Sequence, residues 1–434
     1  MRRHLKSLVA FVLSTQARAV IRKYKPSIIA VTGSVGKTST KDAIYAALAE
    51  QCFVRKSEKS FNSDIGIPLT ILGAPNGWSN PLRWLQIFFD GFSLLLFKSR
   101  YPDWLVLEVG ADRPGDIRTV AAWLPVDIAV ITRLPEMPVH VEYFDSPAEV
   151  IEEKAALITA LKPSGTLVLY ADDEATMGLA ARAPGARVLS FGFAESASVH
   201  AERVAFDYTP SKPHQPLGMH ATVVSGAARV EACLLGTAGS HTLLPLLAAC
   251  AVGEALGMPL SESVNSFNRQ YMPPPGRMRL LAGVSNTLLI DDSYNSSPAA
   301  IAAALETLAS LRTKGRRIAL IGDMLELGRY SVDEHRKIGT QAAHICNLLF
   351  TVGFRARDVA EAALDTGLPD TAVLQFEDAE RAGELLLPML KEGDIILIKG
   401  SQSMRMERAA AILLAQPERA SELLVRQEEE WQLR

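Results

Sequence analysis

The stretch from Ile28 to Thr38 constrains this chain more than any other. It reads Ile-Ile-Ala-Val-Thr-Gly-Ser-Val-Gly-Lys-Thr, an apolar β-branched run that enters a short glycine loop, and a helix-like stretch, Thr40–Glu50, follows. A strand that turns through glycines into a helix aims backbone N–H groups and the positive end of the helix dipole at one point, which makes an anion cradle. In such a cradle Gly33, Ser34 and Gly36 form the turn, Lys37 neutralises the outer phosphates of a nucleotide and the Thr38 hydroxyl ligates Mg²⁺. The usual pattern has a glycine five positions before Gly36, where this chain has Val31, so the loop is the shortened form T-G-x-x-G-K-T. A plain strand–turn–helix would also use these glycines, but Gly-Lys-Thr stands at the junction where phosphate binding requires it.

The rest of the chain repeats the alternation that this unit begins. At 434 residues it has room for two or three domains. Strands are expected at Trp104–Val109, Asp127–Thr132 and Thr166–Tyr170, and helices at Gly115–Trp123 and Pro147–Leu161, which predicts a mostly parallel sheet covered on both faces. Short alternating runs at Ser198–Tyr208, His220–Val224 and Ala228–Leu234 predict a small antiparallel subsheet, followed by helices at Thr242–Leu256 and Ser261–Arg269. The run Met272-Pro273-Pro274-Pro275-Gly276 can be neither helix nor central strand, and a domain boundary is placed there. Beyond it, strands at Thr287–Asp291, Arg317–Gly322, Leu348–Val352, Ala372–Phe376 and Asp394–Ile398, each followed by a helical stretch, predict a second doubly wound α/β domain. The expected layout is a basic N-terminal helix over residues 1–27, a central nucleotide-binding α/β domain over 28–275 and a Rossmann-like domain over 276–434.

The first 25 residues hold seven Lys or Arg and no Asp or Glu around the apolar run Leu8–Leu13. That run is too short for a signal peptide with so charged a flank, and too short to span a bilayer. A basic amphipathic helix remains, which either packs on the next domain or rests on an anionic membrane surface. The stretch Pro75–Arg100 carries Leu82, Leu85, Phe88, Phe89, Phe92, Leu95 and Leu96 at helical spacing, which reads first as a helix lying on the core, with a membrane-facing or substrate-facing surface as the other reading. The net charge of −3 argues against a general nucleic-acid binder. Cys52, Cys233, Cys250 and Cys346 lack metal-site spacing and read as reduced core thiols of a cytoplasmic protein.

Polar residues recur where strands end, the place where open α/β sheets bind ligands. Glu108 emerges from the apolar strand Trp104–Leu107, beside the phosphate loop, as a natural Mg²⁺ ligand. His140 follows the strand Asp127–Thr132. Lys154 is the most informative single residue: Ser146-Pro147-Ala148-Glu149 is a capping box with proline at the first helical position. The positions three and four away from Lys154 are then Val150, Ile151, Leu157 and Ile158, so the lysine projects from the apolar face without an acidic partner on its own helix. A buried lysine is costly unless paired or chemically changed; it either snorkels to the surface or serves near the metal site. In the second half, Asp291-Asp292-Ser293-Tyr294-Asn295, Gly322-Asp323-Met324 and Lys399-Gly400-Ser401 occupy strand ends, and Arg277 follows the proline boundary, so a cleft between two α/β domains is expected.

As a set these motifs resemble the Mur ligase family. The resemblance rests on Thr32–Lys41, Phe61–Thr70, Leu107–Ala111, Glu153-Lys154, Asp291–Asn295, Gly322–Gly328 and Lys399–Ser401, which follow the family's order and cover nearly everything after residue 27. The last three point to the branch that adds D-alanyl-D-alanine to a UDP-muramoyl tripeptide. The resemblance implies ATP-dependent amide-bond formation through an acyl phosphate, in peptidoglycan synthesis. It implies nucleotide contacts from Gly33, Ser34, Gly36, Lys37, Thr38, Ser39 and Asp291, and one Mg²⁺ on Thr38 and Glu108. A second Mg²⁺ falls to His140 and a carbamylated Lys154, and Arg277 approaches the phosphates. Asn62, Asp292, Tyr294, Asn295, Lys399 and Ser401 would face substrate in a cleft that closes by motion of the C-terminal domain. The implied partners are a muropeptide-like carboxylate acceptor and an amino-acid or dipeptide amine, served by a monomer in the cytoplasm, with peripheral contact at the inner membrane face through residues 1–25 as the other reading of that helix. Three features depart from the family: only 27 residues precede the phosphate strand, too few for the usual uridine-nucleotide domain; Arg133 stands where the family has Asn; and Gly239-Ser240-His241-Thr242-Leu243-Leu244-Pro245 lacks both asparagines of the family's adenine-side pattern. Ligation of another acceptor, such as a poly-amino-acid or a lipid-linked muropeptide, and a non-catalytic nucleotide-binding scaffold are the alternatives.

Overall fold

The computed structural model describes residues 2–58, 61–77, 80–209, 212–428 and 431. Two sheets organise it. The first runs through β1 (Ser27–Thr32), β2 (Val54–Lys56), β3 (Trp104–Glu108), β4 (Val126–Ile131), β5 (Leu161–Tyr170), β6 (Arg187–Gly192), β7 (Val199–Thr209), β8 (Lys212–Ser225) and β9 (Ala228–Leu235), in the order β2-β3-β1-β4-β5-β6-β7-β8-β9. Its strands are parallel as far as β7, and β8 and β9 are antiparallel. The central strands are apolar throughout because both faces are covered. Ile29 and Val31 of β1 enter one core with Val106, Val130 and Val168, while Ile28 and Ala30 enter the other with Leu105, Leu107, Ala129 and Leu167. The period of two sends alternate residues to opposite layers.

The helices that cover this sheet are α1 (Arg2–Tyr24), α2 (Lys37–Leu48), α3 (Gly66–Leu72), α4 (Pro81–Leu96), α5 (Asp116–Ala121) and α6 (Pro147–Ala155), with two more at Leu244–Ala255 and Leu260–Gln270. Helix α2 begins at Lys37, three residues earlier than the sequence indicates, because Gly36 takes a left-handed φ of 86° and serves as its cap. The basic N-terminal stretch is a helix whose Leu13, Ala17, Val20 and Ile21 are buried against the domain. Among the described residues no helix is long and apolar enough to cross a membrane.

The second sheet has the order β10-β11-β15-β12-β13-β14, from β10 (Arg279–Gly283), β11 (Thr287–Asp292), β12 (Arg317–Gly322), β13 (Leu348–Val352), β14 (Val373–Phe376) and β15 (Ile395–Lys399). All its pairs are parallel except β10–β11. Strand β10 also stitches the two halves together: Ala238 N donates to Met278 O at 3.1 Å, and Leu280 N to Gly236 O at 2.9 Å. Several elements differ from the sequence reading. The antiparallel strands continue the main sheet instead of standing apart, because β6 bridges β5 to β7 through the short pairing of Phe191 with Val199. The helix expected over Pro147–Leu161 tightens into a 3₁₀ turn after Ala155 and passes into β5 at Leu161. Strands β2 and β10, both at sheet edges, and β6, inside the first sheet between β5 and β7, are also absent from the sequence reading. The four cysteines are unpaired, but only Cys250 and Cys346 are core thiols: Cys52 is half-buried, and Cys233 is exposed on β9, the edge strand of the first sheet.

Candidate active site

The order of the first sheet reverses direction at β1, with β3 on one side and β4 on the other. At such a switch point the loops after neighbouring strands part and leave a crevice. The glycine loop fills it. Gly33 has φ 144°, and a Cβ there would lie 2.0 Å from the Thr132 hydroxyl, so only glycine lets the loop lie against β4. Thr132 Oγ1 then donates to Val35 O at 2.7 Å, and Ser34 N donates to Arg133 O at 3.0 Å. Lys37 Nζ donates to Gly33 O at 2.9 Å, folded back across its own loop. Burial pushes its pKa down, Glu108 pulls it up and Arg277 pushes it down again, so a residue from beyond the proline boundary acts on the loop lysine.

Glu108 is buried at the end of β3, where its backbone N–H meets Ser57 Oγ at 3.3 Å and its Oε2 has no hydrogen-bond partner. An anionic oxygen left in this position suits a cation. Lys154 is its counterpart. It is 0 % exposed on α6, its Nζ has no hydrogen-bond partner, and burial followed by the repulsion of Lys37 lowers its pKa to about 7. Its neighbour Glu153 does not neutralise it by contact; Glu153 Oε1 instead accepts from Ile117 N and Arg118 N at 2.8 and 3.1 Å, at the start of α5. His140 has a left-handed φ of 68°. Its Nδ1 lies 2.6 Å from Glu326 Oε2 and its Nε2 lies 3.8 Å from Asp112 Oδ1. The ring beside it holds the Glu326 carboxyl below the usual carboxylate range. Among the described residues no three His, Cys, Asp or Glu side chains gather as a metal site by themselves. The donors present, a hydroxyl, a free carboxylate oxygen, an imidazole nitrogen and a lysine open to modification, fit Mg²⁺, which keeps waters and phosphate oxygens in its shell.

The glycine loop, Glu108 and His140 open into a cavity of about 500 Å³ between the two sheets, and Lys154 lies behind its wall without lining it. Of the residues singled out from sequence, Ser34, Gly36, Lys37, Thr38, Ser39, Asn62, Glu108, His140, Arg277, Asp292, Tyr294, Asn295 and Lys399 line it. Arg277 stacks on the Tyr294 ring at 4.2 Å. Lys399 Nζ donates to Asp292 Oδ2 at 2.6 Å and Asn295 O at 2.9 Å, a buried pair on adjacent strand ends. Replacing Asp292 by alanine leaves Lys399 buried without its counter-charge. The expected loss is about 3–5 kcal/mol in thermal or urea unfolding, recovered in large part by adding Lys399→Met.

Four of the expected site residues, Gly33, Lys154, Asp291 and Ser401, do not line the cavity. Asp291 is sealed from the cavity, where its carboxylate accepts from Gly276 N at 3.1 Å and Ser293 N at 3.2 Å. Burial raises its pKa to about 6, and its carboxylate ties down the linker. Ser401 is also turned away: its Oγ accepts from Leu325 N at 2.9 Å, joining the loops after β15 and β12. Conversely, Asp112, Tyr170 and Phe191 line the cavity without having been singled out. Asp112 stands four residues after Glu108, and that spacing was the available signal. His241 also lines the cavity, and burial lowers its pKa to about 4, so it is a neutral ring. The Thr242 hydroxyl donates to Gly239 O at 2.6 Å.

A glycine-loop cradle, a buried carboxylate suited to a cation and a cleft roofed by a second α/β layer make the architecture of a nucleotide-binding α/β protein. The Mur ligase middle domain matches residues 31–81 and 91–253, and the Mur ligase glutamate ligase domain matches 276–402. The chain belongs to the Mur ligase family. It is 27% identical over 406 residues to the UDP-N-acetylmuramoyl-tripeptide--D-alanyl-D-alanine ligase of Bacillus subtilis, covering 93% of this chain and 79% of that one. It is 29% identical over 408 residues to the enzyme of the same name from Mycobacterium tuberculosis, covering 90% and 73%. Among solved structures it is similar to the MurF ligase of Thermotoga maritima in complex with ADP, with TM-score 0.74, 25% identity and coverage of 93% and 83%.

Proposed function

We infer that this ligase joins a carboxylate of a muramoyl-peptide precursor to the amine of D-alanyl-D-alanine or a similar dipeptide. The observation that carries the reading is a pair of buried, unpartnered atoms, Glu108 Oε2 and Lys154 Nζ, that both interact electrostatically with the loop lysine Lys37. In the reaction proposed, an acceptor carboxylate oxygen attacks the γ-phosphorus of ATP and the bond to the ADP oxygen breaks. The amine then attacks the acyl carbon of the resulting acyl phosphate and loses a proton, and inorganic phosphate departs as the amide forms. Such chemistry needs mainly positioning and charge neutralisation. Lys37 leaves Gly33 O for the β/γ-phosphates, and Arg277 approaches the same charge from the hinge. Bound Mg²⁺ supplies further neutralisation of the phosphate oxygens, with Thr38 and Glu108 holding one ion, and His140 Nε2 and Lys154 serving a second.

Lys154 serves there as a carbamate. A pKa of about 7 leaves much of the amine neutral and nucleophilic at working pH. Its neutral nitrogen adds to CO₂ and loses a proton, which leaves an anion at the buried position facing Lys37. Asn62, Tyr294 and Asn295 are assigned to the acceptor and the amine. Tyr170, Phe191 and Pro245 supply apolar surface for the base, where two family asparagines are replaced. The test is phosphate release from ATP, screened over acceptor–amine pairs that include UDP-linked and lipid-linked muropeptides. Release is expected only when both substrates are present, with D-alanyl-D-alanine among the active amines. No stimulation by any pair would leave a nucleotide-binding scaffold as the better reading.

A further inference from the structure

Helix α4 is apolar on both sides. Its inner side sets Trp84, Ile87, Phe88 and Leu95 against the core under α1 and α3. Its outer side carries Leu82, Leu85, Phe89, Phe92 and Leu96, spaced alternately three and four residues apart, and each is 55–75 % exposed. A stripe that regular is a continuous face and not scattered surface leucine. Leu82, Leu85 and Phe89 fall in the break between the two matched segments of the Mur ligase middle domain, while Phe92 and Leu96 lie within the second segment.

Helix α1 lies beside α4 and runs in the same direction: Gln16 Nε2 donates to Phe88 O at 2.8 Å, and Lys23 Nζ to Leu94 O at 2.8 Å and Phe97 O at 2.6 Å. The exposed Leu8 and Phe11 extend the apolar stripe near its start, and the exposed Arg22, Lys25, Lys98 and Arg100 edge its far end, with Phe97 exposed among them. Charge follows the same division. Residues 1–25 and 80–100 hold ten Lys or Arg and one acidic residue, Asp90, against 35 and 47 in the rest of the chain.

We propose that the joint outer face of α1 and α4 docks on an anionic lipid bilayer surface. The side chains stand proud of the helix, the form that enters a lipid interface, and their basic edge matches anionic headgroups. A second copy of the chain is a poorer occupant, because a two-fold contact through this face would set its basic edge against another basic edge.

The test is flotation of the full chain with vesicles of phosphatidylcholine alone or with added phosphatidylglycerol, alongside light scattering in solution. Binding is expected only with phosphatidylglycerol present, and it should weaken in high salt. Phe89→Glu with Phe92→Glu is expected to lower the bound fraction about tenfold, and Arg22→Glu with Lys98→Glu to lower it several-fold, since apolar burial and headgroup attraction both contribute. All four positions face solvent, and an unchanged melting temperature shows that the variants fold. Equal flotation of wild type and variants, absence of flotation, or a solution dimer that Phe89→Glu dissociates would each overturn the proposal. Because the readout is vesicle binding and not ligation, its outcome is independent of the acceptor assigned above.

Discussion

Lys154→Met is expected to yield a protein that is more stable than the wild type and inactive. The ammonium of Lys154 is fully buried with no hydrogen-bond partner, and desolvation, then Lys37, lowers its pKa from 10.5 to about 7. Between those two values the unfolded chain binds a proton that the folded chain does not, so stability rises with pH across that window. The cost of the buried lysine is therefore complete below pH 7 and gone above about pH 10.5. Methionine fills the space without the charge. In CO₂-depleted buffer it should add on the order of 4 kcal/mol at pH 6, and the gain should shrink as the pH approaches 10. Denaturant unfolding at several pH values reads this directly. Ligase activity of the same variant should fall by about 100-fold or more, the scale of losing a group that organises charge in the transition state. In Lys154→Ala, bicarbonate or a short carboxylate should restore part of the activity by occupying the vacated space. Full activity of either bare variant would end the assignment of a carbamate.

Glu108→Gln should have the second largest effect. Glutamine keeps the shape of a side chain that is 1 % exposed, but its amide cannot replace an anionic oxygen on a cation. The fold should hold, since Oε2 has no protein partner to lose. The Mg²⁺ concentration for half-maximal activity should rise by roughly tenfold or more, with kcat at saturating Mg²⁺ still depressed. A Mg²⁺ titration of phosphate release, with nucleotide binding measured separately, distinguishes lost metal affinity from a damaged cradle. An unshifted Mg²⁺ dependence would remove Glu108 from the metal site.

The direct contact of His140 with Glu326 shows how far reading along the chain can go. Both residues lie in segments visible in the sequence, one after β4 and one after β12. Nothing local says that the loop after β12 reaches across to β4 of the other sheet, where Glu142 N also donates to Glu326 O at 3.2 Å. Asp291 and Asp292 make the same point, since neighbouring carboxylates at one strand end go separate ways. Alternation along β11 sends Asp291 inward to Gly276 and Ser293, and sets Asp292 against Lys399 and the cavity. The strand end was legible, but which carboxylate would face the cavity was not.

What the amino-acid order determined alone are the features set within a turn or two of chain. The glycine loop between β1 and α2 was legible because its phosphate-binding N–H groups and lysine are contiguous. The burial of Lys154 was legible because a capping box fixes the start of its helix and the 3.6-residue period then fixes its face. The parallel core strands were legible because covering both faces demands unbroken apolar runs. The tertiary structure decided what depends on pairing between distant segments: the continuation of the main sheet through β6 into its antiparallel strands, the sealing of Asp291 and Ser401, the approach of Asp112 and Glu326 to His140, and the second apolar face of α4. Each of these depends on which surface a distant element brings alongside, and that is set by the packing of whole layers instead of by any local period.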